Sequence, residues 1–492
     1  MSKKIIYLLS LLMALSLVFA SCKKNGAGDI TGGIQDENKP EHNEDGVGGN
    51  GLYGSYTDIP ADKAITKDPV LKYSGDRGYR NPIGVVMGTK KDHVLVFSEL
   101  RYAKTTADND IGVDGKTAAD IHLIYSSKSG IKDSFTEYGV IGTASAQTPT
   151  TDPANSHAAP VVFKISDTEI IVVASGGVGI SRVSTPYAER TPKSKIEYCK
   201  VTLVEGNENS AASITTEKWT ELRVNDGSEK SIAEAIEGIS DWTDAAGVKF
   251  AQFGTHSARG FVTSDKRMVL PVVVANQGTT GSGSTEYMGN LILVSTANTA
   301  STPWEVKSYT TFVKGNGAYS KQKESRVIGN SGSKYQYIVV PNGSAEAKLT
   351  FGEASDSKVK NDAPTQMSAF SAYDGSLGYL TLNWHGSSEY NPASYNSTGG
   401  TEKSLLMHVK GLEYNPTIYL LDAGTINIAS GAKATGWSVL DPAGAGKGSS
   451  IDVLGDGTII TVAEERAPTG VRKFDIVYSR YSQSYLNSKL VN

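Results

Sequence analysis

From about Asp58 to the C-terminus, short apolar runs alternate with polar turns. The runs are HVLVFSEL (93–100), IHLIYSS (121–127), APVVFKIS (159–166), EIIVVASGG (169–177), IEYCKVTLV (196–204), RMVLPVVVA (267–275), LILVST (291–296), YQYIVVPN (335–342), GYLTLNWHG (378–386), SLLMHVKG (404–411), GTIITVAEE (457–465) and FDIVYSRYS (474–482). Each is short and rich in β-branched and aromatic residues, which is the signature of strands separated by turns. Only EKSIAEAIEGI (229–239) carries convincing helical spacing. In GYRNPIGVVMGTKKDHVLVFSELRY (78–102), Arg80 precedes one apolar run and Arg101 ends the next. One charge therefore stands at the mouth of each of two strands that pair through a Lys-Lys-Asp-His turn.

About 430 residues of such strands suit a radial array: six blades of four strands, at roughly 70 residues per blade, make an all-β propeller. Two stacked β-sandwich domains are the rival, and they would need a mid-chain linker that the sequence does not contain. Glycine is abundant, at 52 of 492 residues, as many turns require. The formal net charge is only −4, so neither a basic surface for nucleic acid nor an acidic solvating tail is expected.

The N-terminus is a targeting segment. Lys3 and Lys4 precede the apolar IIYLLSLLMALSLVFA, and small Ala20 and Ser21 precede Cys22. Residues 1–22 resemble a bacterial lipoprotein signal, with Phe19 where Leu is usual. That resemblance implies lipid on Cys22, a membrane anchor and a cell-envelope location. Residues 23–58 are rich in Gly, Asn, Asp and Glu and are read as a disordered tether, because they have too little apolar surface to offset ordering entropy. The globule is then 59–492. Its single cysteine, Cys199, alternates within a strand-like run and reads as a core thiol.

A series of segments resembles the sialidase (neuraminidase) family, whose propellers carry Asp-box (BNR) repeats. YRNP followed by VLVFSELRY is similar to that family's first-blade motif, with Asn81 where isoleucine is usual between Arg80 and Pro82. DIHLIYSSKSGIKDSFTEYGVI resembles a strand entering a degenerate Asp-box, with Ser127, Gly130 and Phe135 in the Ser, Gly and Trp positions. SHAAPVVFKISDTEIIVVASGG, FGTHSARGFVTSDKRMVLPVV, LILVSTANTASTPWEV (a second worn Asp-box ending at Trp304) and KESRVIGNSGSKYQYIVVPN follow in family order. GSSIDVLGDGTIITVAEE and FDIVYSRYSQSYL are similar to the last blade. The series runs from Tyr73 to Leu486.

The resemblance implies an exo-α-sialidase chemistry. Three arginines would fix the sugar's carboxylate, since a guanidinium fork gives two parallel charge-assisted hydrogen bonds. A tyrosine would be the nucleophile, where a carboxylate would be repelled by the substrate's own charge. A glutamate would take the phenol proton and an aspartate would be the general acid. Arg80 matches the first arginine, Glu324 matches the glutamate, and the acid is Asp108 or Asp110, both in the loop after Tyr102. Lys403 stands where the third arginine is expected; it keeps the charge but not the fork. Pro341 takes the place of the second arginine and Gly448 that of the tyrosine. Tyr379, Tyr390 and Tyr395 lie nearby in sequence without a motif to place them. Arg101 is counted with the substrate-binding residues, tying the first blade to a loop carboxylate. Arg259, in THSARG, and Arg326, two after Glu324, are spare cations that a rebuilt site could use, with structural roles as the competing and preferred reading.

The seven histidines show no metal-ligand spacing, and no phosphate loop, dinucleotide fingerprint or nucleophile elbow occurs in context. No metal or cofactor is therefore expected. The expected partners are sialylated or other acidic glycans, and the membrane through the lipid. No nucleic acid is expected, and the chain is expected to be monomeric. Two other functional classes compete with the enzyme: a non-catalytic, adhesive glycan-binding lipoprotein, and a propeller scaffold for protein contacts.

Overall fold

The computed structural model describes residues 65–74, 77–102, 119–143, 153–177, 193–207, 210–239, 250–263, 265–276, 286–311, 322–329, 334–341, 348–353, 359–360, 365–366, 383–385, 403–408, 417–422, 435–438, 445–455, 458–466 and 474–481. The signal, the tether and Cys22 lie outside the described residues.

Among the described residues the strands are β1 (Ile65–Leu71), β2 (Arg77–Met87), β3 (His93–Tyr102), β4 (Ala119–Ser126), β5 (Thr136–Val140), β6 (His157–Lys164), β7 (Glu169–Gly176), β8 (Lys195–Val204), β9 (Ser213–Thr216), β10 (Thr220–Glu221), β11 (Arg223–Asn225) and β12 (Glu229–Ser231). They continue as β13 (Phe250–Gly254), β14 (Ala258–Arg259), β15 (Phe261–Val262), β16 (Met268–Asn276), β17 (Glu286–Val294), β18 (Trp304–Thr311), β19 (Gln322–Gly329), β20 (Lys334–Pro341), β21 (Lys348–Glu353), β22 (Val359–Lys360) and β23 (Thr365–Gln366). The last are β24 (Asn383–His385), β25 (Lys403–His408), β26 (Thr417–Asp422), β27 (Thr435–Ser438), β28 (Ala445–Val453), β29 (Ile459–Arg466) and β30 (Phe474–Tyr481). Every apolar run read from the sequence overlaps one of these strands. The predicted helix is shorter than its pattern. Glu229–Ser231 pair as β12, and α1 spans Ile232–Glu237 behind a capping box in which Ser231 and Glu234 bond reciprocally.

The strands fall into six sheets. Sheet I is β2-β3-β4-β5, and sheet II is built on β6-β7-β8. Sheet III runs β13-β16-β17-β18 with β11 and β12 beyond. Sheet IV is β19-β20-β21-β23, sheet V is β24-β25-β26-β27, and sheet VI is β28-β29-β30-β1. Neighbours in the chain pair antiparallel within each sheet. The exceptions are the parallel pairs β11–β18, β14–β6 and β18–β22, and β1, which leaves the N-terminal side of the globule to pair antiparallel with β30, from Ile65↔Tyr481 to Leu71↔Ile476. That pairing joins the two ends of the globule. The first strands converge: β2 lies against β28 and β6, and β24 against β28.

Packing explains why the runs read as continuous apolar stretches and not as a strict alternation. Successive side chains of a strand point to opposite faces. On β2 and β3, Ile83, Val85, Leu95 and Phe97 join Val162, Val172 and Cys199 of sheet II, whereas Val86, Val94 and Val96 join Ile460, Val462 and Tyr478 of sheet VI. Sheet II repeats this, since Val161, Phe163 and Val173 face Met268, Leu270 and Trp304 of sheet III. Each of these sheets is therefore buried on both faces, with each fully buried aliphatic side chain contributing about 1.5–3 kcal/mol. Contact is close enough at Gly84 that an added Cβ would lie 2.7 Å from Val462. Cys199 is fully buried and donates from Sγ to the Glu217 carbonyl at 3.1 Å; burial pushes its thiol well above the ordinary range.

Two turns fall in the segments that resemble Asp-boxes in sequence. In the first, the Ser126 hydroxyl, one residue before Ser127, accepts from the Lys128 and Gly130 N–H groups at 3.1 Å each. Gly130 sits at φ +66° against Tyr478, whose hydroxyl donates to the Ser129 carbonyl at 3.1 Å, and Phe135 meets the Tyr478 ring edge-on at 5.1 Å. In the second, Ser295 Oγ accepts from Met268 N–H at 2.8 Å, and the fully buried Trp304 packs edge-on against Phe163 at 6.1 Å. A hydroxyl leaving one strand and an aromatic entering the next thus recur in sheets I and III.

Candidate functional site

At one end of sheets VI, I and II charged and polar side chains gather: the start of β2, the ends of β3, β7 and β29, and the starts of β6, β8 and β30. Arg80 lies there, with its side chain 15% exposed. Its Nε donates to Glu464 Oε1 at 2.9 Å, and its guanidinium lies over the Phe474 ring, 4.7 Å from the centroid. Glu464 is wholly buried, and both supports belong to sheet VI. A buried carboxylate and an aromatic face together fix a planar cation far better than solvent would, by a charge-assisted hydrogen bond and a cation–π contact. Arg80 stands at the strand end, as its sequence implies; its two supports lie almost four hundred residues on, with Glu464 384 positions away.

Arg101 lies at the same end, at the close of β3. The loop that follows it lies outside the described residues, and one partner of Arg101 is on its own strand. Its Nε donates at 2.7 Å, and its Nη2 also donates, to Glu99 Oε2, two positions earlier on the same strand. Residues i and i+2 of a strand share a face, so the pair is local. Both side chains are nearly buried, at 7% and 2% exposure. Burial alone would raise the Glu99 carboxyl, but the Arg101 charge and hydrogen bonds from Asn81, Ala159 and Arg101 hold it below the usual carboxylate range. Burial, with the Arg80 charge acting the same way, lowers the Arg101 guanidinium against the pull of Glu99 and Glu464.

A second cluster next to this one was not singled out from the sequence. His157 Nε2 meets Glu197 Oε2 at 2.8 Å, and Lys195 Nζ meets the same oxygen at 2.9 Å. The imidazole stacks on Trp219, with centroids 4.1 Å apart and planes 11° off parallel. Trp219 in turn donates to the Ile141 carbonyl at 3.1 Å. Nothing in SHAAP, KIEY or EKWT marks these residues as neighbours, because three separate segments supply them.

Arg259 is structural, as expected. It is buried, its Nη2 lies 3.2 Å from Asp452 Oδ2, and its Nη1 donates to the Gly84 carbonyl at 3.4 Å. Asp452 Oδ2 also accepts the Val86 N–H at 2.8 Å. One arginine thus bonds β14 to both β28 and β2.

The remaining candidates are placed by backbone alone. Glu324 is on β19 opposite Val340, and Pro341 ends β20 opposite Gln322. Lys403 opens β25 opposite Asp422. Gly448 lies on β28 in the irregular stretch between Ala445 and Ser449. Asp108, Asp110, Tyr379, Tyr390 and Tyr395 lie outside the described residues. Among the described residues no group of three or more His, Cys, Asp and Glu side chains is disposed to hold a metal ion.

Comparison with known proteins gives one consistent result. The sequence matches no protein-family model and no curated protein. The structure, however, is similar to Trypanosoma rangeli sialidase in complex with the inhibitor DANA, with a TM-score of 0.57 at 11% identity over 86% of this chain and 61% of that one. The same enzyme in complex with sialic acid gives a TM-score of 0.56, also at 11% identity, over 86% of this chain and 60% of that one. A protein of unknown function from Dyadobacter fermentans gives 0.51 at 13% identity, over 85% of this chain and 99% of that one. The chain therefore spans about 61% of the length of the trypanosomal sialidase. The fold is sialidase-like, of the β-propeller type.

Proposed function

We propose that this protein is a sialidase-like glycoside hydrolase of a bacterial cell envelope, removing terminal sialic acid or a related acidic sugar from glycoconjugates. In this reading the six sheets are six blades, the globule is 59–492, and 23–58 tether it to lipid on Cys22. The observation that carries the reading is Arg80: a guanidinium at the end of a first strand, pinned at Nε by Glu464 and on its face by Phe474. A cation so restrained loses little entropy on meeting a carboxylate. Arg80 and Lys403 bind the sugar's carboxylate, and Arg101, neutralised by Glu99, shapes the adjoining wall. Asp108 or Asp110 protonates the leaving oxygen and Glu324 serves as base. The likeness to sialidase structures supports the scaffold.

A second reading, a non-catalytic sialoglycan-binding lipoprotein, is favoured by Gly448, which stands where the family resemblance calls for the tyrosine nucleophile. Loss of a nucleophile alone costs several powers of ten in rate. Release of a fluorogenic sialoside by the lipid-free globule, measured beside glycan-array binding, separates the two. Turnover abolished in Arg80→Ala and Glu324→Ala supports the hydrolase. Array binding without turnover, lost in Arg80→Ala, supports the binding protein. Neither turnover nor binding rejects both.

A further inference from the structure

The hydrogen bonds at this end of the sheets repeat from sheet to sheet. On β29 of sheet VI, Glu464 Oε1 accepts the Asn81 N–H of sheet I at 2.6 Å. On β3 of sheet I, Glu99 Oε1 accepts the Ala159 N–H of sheet II at 2.7 Å. On β7 of sheet II, Ser175 Oγ accepts the Thr255 N–H, just after the first strand of sheet III, at 2.8 Å. The donors of the first two bonds sit in equivalent bulges. The pairing shifts between Arg80 and Ile83, and again between Ala158 and Val161. Asn81 and Ala159 both have positive φ, 53° and 54°, and both precede a proline. The registers also correspond, with Arg80 opposite Glu99 and Ala158 opposite Ser175. The three second strands read VAEER, FSELR and VASGG, with Glu464, Glu99 and Ser175 at the same place. A second-strand oxygen thus holds the turn-out of the next sheet's first strand.

Sheet I differs from sheet II in one respect. Asn81 has a side-chain donor where Ala159 has none, and its Nδ2 donates to Glu99 Oε1 at 2.9 Å. Asn81 therefore bonds both carboxylates: Glu464 through its backbone and Glu99 through its amide. Glu464 bonds the neighbouring Arg80 with the same oxygen that receives Asn81. We propose that Asn81 is a positioning residue that fixes the direction of the Arg80 guanidinium, by closing a chain of hydrogen bonds Arg101–Glu99–Asn81–Glu464–Arg80 across the boundary between sheets VI and I. Asparagine suits the place because it tolerates the left-handed region and supplies the amide donor. A β-branched residue here would meet a steric penalty at φ 53° and have nothing to offer Glu99.

As a role at an acidic-sugar site the inference rests on the reading above; as a restraint on Arg80 it does not. The test separates them. Asn81→Gly keeps the left-handed turn and the backbone donor, and removes only the amide, so the globule stays folded. Asn81→Asp keeps size and backbone preference but sets a carboxylate against Glu99. Modification of Arg80 by phenylglyoxal is followed by mass spectrometry in the native protein, with the half-buried Arg223, whose side chain is 39% exposed, as internal reference. The expected result is a rise of about tenfold in the Arg80 rate in Asn81→Gly, more in Asn81→Asp, with Arg223 unchanged and the melting temperature of Asn81→Gly preserved. An Arg80 rate equal to wild type in both variants overturns the proposal. Sialoside binding by Arg80→Ala is measured alongside: if it equals wild type, the sugar site is wrong while the Arg80 reactivity still decides the role of Asn81.

Discussion

Arg80, Glu464, Glu99 and Arg101 form a cluster of two cations and two anions in which each arginine has its own carboxylate. Buried groups survive as ions only when paired and hydrogen-bonded, and Glu99 meets that condition with four donors from three residues. Its carboxyl is held below its ordinary value of 4.5. Its stabilising contribution is therefore complete above that value and disappears as the pH falls through its lower folded-state value. Glu99→Gln should be less stable than wild type at neutral pH by about 3–5 kcal/mol, since it removes the carboxylate paired with the nearly buried Arg101. The difference should narrow as the pH falls below 4.5, as read by chemical denaturation across that range. A gap that stays constant with pH would contradict the ionised, hydrogen-bonded Glu99 described here. At this scale the sequence was legible only in part. Arg80 could be chosen because it precedes Pro82 and an apolar run. Glu464 and Phe474 could not be matched to it, because a carboxylate in AEER and an aromatic in KFDI look like any strand end. The Glu99 partner of Arg101, at i−2 on the same strand, was also not picked out, because an acid two positions before an arginine is common in any strand.

Elements were more legible, because the hydrophobic effect writes them locally. Runs such as VVFK and IIVV became strands with both faces buried, and Cys199 became a core thiol. Short strands such as β10, β14 and β15 escaped notice, being two residues long and lacking any period. The bulges also escaped. Asn-Pro and Ala-Pro mark a break in regular structure, but not that a residue there turns left-handed to reach a neighbouring sheet. Ala159 makes the point energetically. At φ 54° an alanine bears about 1–2 kcal/mol of steric cost that glycine does not, while glycine loses about 0.5–1 kcal/mol more backbone entropy on folding. Ala159→Gly retains the N–H that Glu99 accepts, so it should raise stability by about 0.5–1 kcal/mol in urea denaturation. A loss of stability would mean that the left-handed turn is wrong.

For the whole molecule, the decisive feature is closure. β1 pairs with β30 across the length of the globule, and Arg259 bonds β14 to β28 and β2. The pairing moves the edge of sheet VI from the apolar β30 to β1, where Lys67, Asp68 and Pro69 make a poorer template for association. Such long-range pairings have no local signature; ITKDPVL carries too few apolar residues to announce a strand. The order of segments along the chain nevertheless pointed to a sialidase-like propeller, and the structural likeness at 11% identity shows how far that fold persists after the sequence has diverged. The chemistry is a matter for assay, because Gly448, Pro341 and Lys403 stand at the sequence positions where the resemblance calls for a tyrosine and two arginines. The most direct test is a calorimetric titration of the lipid-free globule with free sialic acid, in wild type and in Arg80→Ala. Wild type should bind, and the variant should bind about ten- to hundredfold more weakly, as expected for one charge-assisted fork. Equal affinity in the two proteins, or no heat of binding in either, would contradict an acidic-sugar site built on Arg80.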